Sequence, residues 1–464
     1  MDSGSSSYEH GSLKMQKQNN EGEDIISKLP EYIISSILSF LPTKYAVRTT
    51  VLSKAWMNLW TSITSLDIND TDVVYDVPEK YVPEEHFQTF INRSLLLTKI
   101  PRLESFSFSI QDYHYMSHLN NWIASALNRL LKKLCIKSEQ KLRFSFVTSQ
   151  CLEELLICMS NCSANIKVPL SHVHLGQLRF LTLHEVEFSC SKEDLELSLP
   201  LLRKLKTVNC IWLGSVNCVT FNAPLLETVD ITQHKESSSQ NGRRVIKFSA
   251  LHLREFSYRH YGYLSRYITM IDPSSAQNAS ATLVFRRSDE TKRVSSKARC
   301  GAFLLLKQFS QVGYLKFGGP YVLGEQVPLL PEFGMLSHLE ITSITLEFLI
   351  GLLSKTPILN TLIVGRPKPK SDKALLESAD VVPDCLRYTL QVVKFRDFLG
   401  NERELCLAKF LMENGYVLKK MSFSLSFFVE SEDIEELKEK LFALKKCSIS
   451  TVVEVLKEDY CNFW

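Results

Sequence analysis

Histidines, cysteines and carboxylates are the residues of this chain whose spacing could do chemistry, and they occur singly or in pairs. His114 and His118 stand four apart, and His172 and His174 two apart, so either pair could offer two imidazoles to a metal. Neither pair is followed at a defined interval by the further ligands that a zinc or iron site requires. Cys151, Cys158 and Cys162 are the closest cluster among 12 cysteines, yet the sequence has no Cys-x-x-Cys pair. Glu153 and Glu154 would point to opposite faces of a strand and so cannot act together as acid and base. None of the 17 glycines forms a GxxxxGK[ST] or GxGxxG phosphate loop, and GxSxG and HExxH are also missing. The expectation is therefore a protein that is not an enzyme, with no catalytic residues, no metal and no cofactor.

The elements that would carry a function of another kind are clearer. The 464 residues exceed one compact core, so several domains or one elongated repeat array are expected. A hydrophobic content of 45% with 23% charged residues describes a folded chain, and a net charge of +3 is too small for a nucleic-acid partner. Scattered cysteines read as reduced thiols in a reducing compartment, hence an intracellular protein of cytoplasm or nucleus. Residues 1–22 are polar throughout and are expected to be a disordered tail with no signal peptide. Apolar runs such as Leu346 to Leu353 are too short for a membrane span.

From Leu29 to Trp60 the sequence reads as three short helices. Ile34, Ile37, Leu38 and Leu41 recur at i, i+3, i+4 and i+7 along the first, which Pro30 opens and Pro42 stops. Thr43 is a candidate N-cap for the second helix and Ser53 for the third, which would run through Trp56, Leu59 and Trp60. A unit this small cannot enclose its own core, so its apolar side chains need the rest of the chain or a partner. Burying about six of them at about 1.5–3 kcal/mol each would gain about 9–18 kcal/mol, against an association cost of about 4–15 kcal/mol.

Downstream, a short pattern recurs: an apolar residue, two others, an apolar residue, one other and usually a third apolar residue. Copies begin at Leu103, Leu131, Leu152, Leu178, Leu202, Leu226 and Leu253, and again at Val312, Leu336, Leu359, Leu390 and Leu418. Most lie about 21–31 residues apart, the range of leucine-rich repeats, with one gap of about 59. Each copy predicts a strand followed by an irregular or helical return segment, and successive strands would stack in parallel into a curved solenoid. LDIND after the helices is a candidate first strand, and TLVF inside the long gap one more. The rest of that gap, residues 271–301, reads as a solvated loop carrying Arg286, Arg287, Lys292, Arg293, Lys297 and Arg299. Near the end, Asn401 with Glu404 forms a capping box before a helix that Gly415 stops. SEDIEELKEKLFALKK follows as a helix with acids first and lysines last.

Two stretches also carry a resemblance. LPEYIISSILSFLPTKYAVRTTVLSKAWMNLW resembles the F-box of plant F-box/leucine-rich-repeat proteins, with the Leu-Pro opening, the SFLPTK centre and the LSK-x-W-x-NLW close. Ala55 departs from the basic residue usual before the tryptophan. VPDCL, the E-x-E-L segment and LMENGYVLKKMSF resemble the FBD domain that ends many such proteins, although KKCSISTVVEVL departs from its usual pattern and leaves the last strand's register open. The resemblance implies an α/β protein: a three-helix F-box, a curved leucine-rich-repeat solenoid with its parallel sheet on the concave side, and an α/β FBD-type cap. The corresponding domains are 1–22 tail, 23–70 F-box, 71–380 solenoid and 381–464 C-terminal domain.

It further implies docking on a Skp-type adaptor, and through it a cullin–RING ubiquitin ligase, by Leu29, Pro30, Ile37, Leu38, Leu41, Pro42 and Trp56. The chain would then be a substrate-recognition subunit whose repeats capture a protein. The alternative is a repeat scaffold that recruits no ligase, its helices merely capping the repeats. On either reading, strand positions between the core residues would face a protein substrate, which nominates His184, Lys206, Asp230 and Ser257. The neighbouring YRHYGY stretch adds Tyr258, Arg259, His260, Tyr261 and Tyr263 as interface anchors.

Overall fold

A computed structural model describes residues 29–54, 56–71, 84–111, 116–139, 143–145, 149–160, 164–167, 175–190, 193–214, 217–234, 244–261, 266–270, 276, 279–286, 296–319, 322–323, 328–343, 345–366, 382–429 and 433–457. The fold is mixed α/β, organised on a 15-stranded sheet in which each strand pairs in parallel with the next. All twelve copies of the short pattern become strands of this sheet, each beginning two residues after the copy's first apolar residue, as in Ser105–Ile110 and Lys420–Leu425. That first residue is buried before the strand begins, for example Leu103, Leu202 and Leu418. The other three strands are Ser65–Asn69 (β1), Ser280–Arg286 and Val452–Lys457. LDIND and TLVF are thus both strands, and the last strand pairs Val452 with Lys420 and Val455 with Phe423.

Alternation places the core on one side of the sheet. Phe106 and Phe108, Leu155 and Ile157, Leu339 and Ile341, and Met421 and Phe423 point inward, and equivalent positions lie side by side in register. Buried side chains from Ile34 to Leu441 form one continuous core.

The return segments differ from the expectation of irregular or helical structure in the middle of the chain. There they are strands, which assemble into two further four-stranded parallel sheets. In RVIKFS and CVTFN, Ile246 and Phe248, and Val219 and Phe221, are buried while Lys247 and Thr220 between them are not, the period-two burial of a sheet. Helices take over at both ends, as at Glu84–Leu97, Met116–Leu127, Leu346–Leu353 and Glu402–Asn414. The long gap holds the helix Ser296–Gln308 as well as its strand, so it is not simply a solvated loop. Arg286 ends that strand and its guanidinium lies 5.9 Å from the Tyr261 ring centroid, while Arg299 is half-buried. Arg287, Lys292, Arg293 and the Lys297 side chain lie outside the described residues.

The capping box forms as expected: Asn401 Oδ1 accepts from the Arg403 and Glu404 amides, both at 3.1 Å. Glu404 Oε2 in turn accepts from the amides of Leu399 at 2.9 Å and Gly400 at 2.8 Å. Gly415 closes the helix with φ −87°, outside the left-handed region. A side chain there would meet the Leu411 carbonyl oxygen at 2.7 Å, so close approach rather than backbone conformation excludes one. In the helix Asp433–Phe442, Leu437 and Leu441 are buried against the core while Lys438 and Lys440 pair with Glu435 and Glu436.

Candidate functional site

The N-terminal unit is built from two α-helices, α1 (Glu31–Leu38) and α2 (Thr43–Arg48), followed by 3-10 turns at Thr49–Val51 and Leu59–Ser62. Prolines set both helix starts. The Pro30 carbonyl accepts from Ile33 at 2.9 Å, and that of Pro42 from Tyr45 at 2.9 Å, so each proline occupies the N-cap. Thr43 is therefore not the cap that the sequence suggested. Its buried hydroxyl accepts instead from the Asp67 amide at 2.8 Å, tying α2 to β1. Ser39 makes a similar tie, accepting from the Thr64 amide at 3.1 Å and donating to the Ser35 carbonyl at 2.8 Å. Ser53 begins a turn, its carbonyl accepting from the Trp56 amide at 3.1 Å, and the segment after it is a 3-10 turn rather than a third α-helix.

This unit has two apolar faces. Ile34, Leu38, Ala46, Trp56, Leu59 and Trp60 turn inward and join the sheet's core. Tyr32, Ile37, Phe40, Leu41, Val51 and Leu52 turn outward, and Phe40 and Val51 are 90% and 85% exposed. Leu38 and Trp56, nominated for docking, are 2% and 9% exposed, so they support the outer face from beneath and do not form it. Of the other nominated positions, Pro30, Ile37 and Leu41 are exposed, while Leu29 and Pro42 are half-buried. Ala55 lies outside the described residues.

Phe40, Val51, Leu52 and Tyr32 lie off the stripe at i, i+3 and i+4, so that periodicity does not mark them. The available signal was that apolar residues occur on both sides of such short helices, which leaves a second face to be covered. The edge is basic. Lys44 Nζ and the Arg48 guanidinium each lie 5.9 Å from the Tyr45 ring centroid, and Glu31 is the sole carboxylate between Leu29 and Trp60.

The second candidate surface is the side of the 15-stranded sheet opposite its inward-pointing rows. Lys206, Asp230 and Ser257 lie side by side in register there, and Arg259 Nη1 bridges to Asp230 Oδ1 at 3.0 Å. His184 lies one row further on, beside Val208, and is half-buried. Burial and then the Lys206 charge hold its imidazole below the usual histidine range, so it is neutral near pH 7. Tyr261 stacks on His234 with ring centroids 4.4 Å apart. Two nominated residues belong elsewhere. His260 and Tyr258 are 5% and 3% exposed, because the strand runs to Tyr261 and continues its alternation, turning both toward the core. Tyr263 lies outside the described residues.

No group of three or more potential metal ligands occurs among the described residues. His118 stacks on Trp122 at 5.8 Å, while His114, His172, His174 and Cys162 lie outside them. Glu153 faces Arg179 and Glu154 faces Lys133, so the two carboxylates act apart. Among the described residues no helix is long and apolar enough to cross a membrane.

Comparison with known proteins bears on both ends of the ladder. Residues 26–66 match the F-box domain and residues 378–423 the FBD domain. An F-box/FBD/LRR-repeat protein of Arabidopsis thaliana is 27% identical over 92% of this chain and 93% of its own length. The chain thus carries both an F-box and an FBD domain, the two that the names of these plant proteins join. An FBD-associated F-box protein of the same plant is 27% identical over 92% of this chain and 97% of its own, and a second F-box/FBD/LRR-repeat protein is 26% identical over 92% and 98%. The F-box match contains α1 and α2 and ends within β1, and the FBD match contains the helices Asp384–Tyr388 and Glu402–Asn414 and the strand Val392–Phe398, ending within Lys420–Leu425. F-box domains in general serve substrate adaptors of Skp–cullin–F-box ubiquitin ligases, which place a substrate and leave the chemistry to other subunits.

Proposed function

We propose that this chain is the substrate-recognition subunit of a Skp–cullin–F-box ubiquitin ligase, docking through the F-box and capturing a protein on its repeats. The observation that carries the reading is the two-sided F-box. Its inner face is continuous with the sheet's core, while Phe40, Val51, Leu52, Tyr32, Ile37 and Leu41 form an outer apolar surface. An internal cap would need only the first face. The basic edge at Lys44 and Arg48 would suit an acidic partner surface. In this reading Leu29 and Pro42 border the docking surface, and Leu38 and Trp56 hold it in shape.

The part of the ladder between the F-box and the FBD is then a curved leucine-rich-repeat solenoid, with its open sheet face concave and directed at the substrate. The domain limits near residues 70 and 380 follow from this division. No chemistry is required of the chain beyond proximity. The alternative, a repeat scaffold that recruits no ligase, is favoured by the burial of Leu38 and Trp56 alone.

Co-expression of the full chain with a Skp-type adaptor, followed by size-exclusion chromatography, tests the two readings. A complex that forms with the wild type and is lost in a folded Phe40→Asp, Val51→Asp double variant supports docking. A folded wild-type chain that forms no complex overturns it and leaves the scaffold.

A further inference from the structure

The geometry points to a capture site for an acidic peptide segment on the open sheet face, built by Lys316, Lys394 and Arg396. This inference rests on the reading that the sheet face receives the substrate. Its centre is Glu340, whose side chain is 5% exposed although its strand position faces away from the core residues Leu339 and Ile341. Lys316 Nζ lies 2.7 Å and Arg396 Nη1 2.8 Å from Glu340 Oε1, and the Tyr314 hydroxyl lies 3.2 Å from Oε2. Lys316 is Glu340's direct register neighbour, whereas Arg396 reaches it across the intervening strand Thr361–Val364. One buried carboxylate thus holds two cations whose side chains are still 34% and 50% exposed.

Lys394, two residues before Arg396 and on the same face, is exposed and makes no ion pair or hydrogen bond among the described residues. Carboxylates nearby are already matched: Asp397 by Arg366 at 2.8 Å and Glu454 by Lys420 at 2.7 Å. Three cations against Glu340 leave two positive charges uncompensated on this part of the sheet. Because Glu340 holds Arg396 and Lys316 in place, little side-chain freedom remains to be lost when an anionic group binds their outward N–H groups.

An apolar border adjoins the cations. Arg366 Nη2 joins Asp397 to Ser426 Oγ, at 2.8 and 2.9 Å, and its guanidinium lies 5.7 Å from the Phe428 ring centroid. Phe427 and Phe428, 75% and 73% exposed, are thereby placed next to the cationic row. Exposed aromatic rings beside oriented cations suit a segment in which acidic residues flank an apolar one.

The test is selection of a random dodecapeptide display library on the full-length protein, with a Lys394→Ala, Arg396→Ala variant and a Lys206→Ala variant in parallel. Enrichment of acidic peptides by the wild type and by Lys206→Ala, with affinity falling at least tenfold in the double variant and at higher salt, is the expected result. Synthetic versions with phosphoserine in place of the acidic residues separate the two anion sources; tighter binding of these by the wild type, lost equally in the double variant, would support the site and assign it to phosphate. Enrichment of neutral or basic peptides, no enrichment, or binding unchanged in the double variant would overturn the site. Adaptor binding measured on the same preparations keeps the two readings apart. A chain that selects acidic peptides but binds no adaptor retains this site while losing the ligase role, and unchanged melting of the double variant shows that it is folded.

Discussion

The Thr43 hydroxyl accepts the Asp67 amide at 2.8 Å, so the second F-box helix is held to the first strand of the ladder by a side chain that is fully buried. Ser39 repeats the link at Thr64, three residues earlier in the chain. The docking unit and the repeats are consequently joined by packing and by directed polar contacts, which fixes the orientation of the outer F-box face relative to the sheet.

Thr43→Val keeps the shape of this side chain and removes its acceptor, leaving the Asp67 amide without this partner. A loss of about 0.5–1.5 kcal/mol in urea denaturation is expected. Adaptor binding by the folded fraction should be unchanged, because the outer surface is untouched.

The two faces of the F-box should respond oppositely to substitution. Leu38→Ala opens a cavity in the core and should cost about 2–5 kcal/mol of stability. Phe40→Asp, at a side chain that is 90% exposed, should leave the melting temperature almost unchanged and abolish adaptor binding. Calorimetry together with a pull-down on the adaptor reads both effects.

Burial holds the Glu404 carboxyl above its ordinary range, against the opposing pull of the Leu399, Gly400 and Asn401 amides and the Arg366 charge. The folded chain therefore keeps this proton where the unfolded chain has released it. Its contribution to stability is complete below the ordinary glutamate range and declines as pH rises through the raised value. Glu404→Gln retains an acceptor oxygen but cannot ionise, so its stability relative to wild type should increase with pH when unfolding is followed across about pH 4 to 8. Glu404→Ala removes the acceptor and should cost about 0.5–2 kcal/mol.

Gly400 has φ +76°, and a side chain there would meet Leu437 Cδ1 at 2.5 Å. Gly400→Ala should cost about 1–2 kcal/mol for the left-handed backbone alone. Displacement of Leu437 adds to this, and earlier hydrogen exchange in the helix Asp433–Phe442 than in the central strands would localise the damage.

Much of the architecture was legible because it is local. Strands begin two residues after Leu103, Leu202 and Leu418 because an apolar residue followed by strict alternation suits only a strand with one covered face. Asn401 and Glu404 cap their helix because both partners lie within one turn. Pro30 marks a helix start through its fixed φ and missing donor, whereas Pro42, expected as a stop, proves to be the N-cap of α2. The middle return segments were less legible, since a strand such as RVIKFS becomes identifiable as sheet only when its neighbours CVTFN and RYITM lie alongside it.

The sequence by itself determined where the twelve repeated strands begin, their parallel repetition, and the family features of both ends, because these depend on side chains close in the chain. Tertiary structure decided which apolar residues are covered. Leu38 and Phe40 stand two apart, yet one enters the core and the other faces outward, because the sheet lies on one side of α1 only. It also turned His260 inward and brought Arg396 to Glu340 across an intervening strand. Such a pairing depends on the register of three strands whose residues are 56 positions apart in the chain, and no local pattern specifies that register.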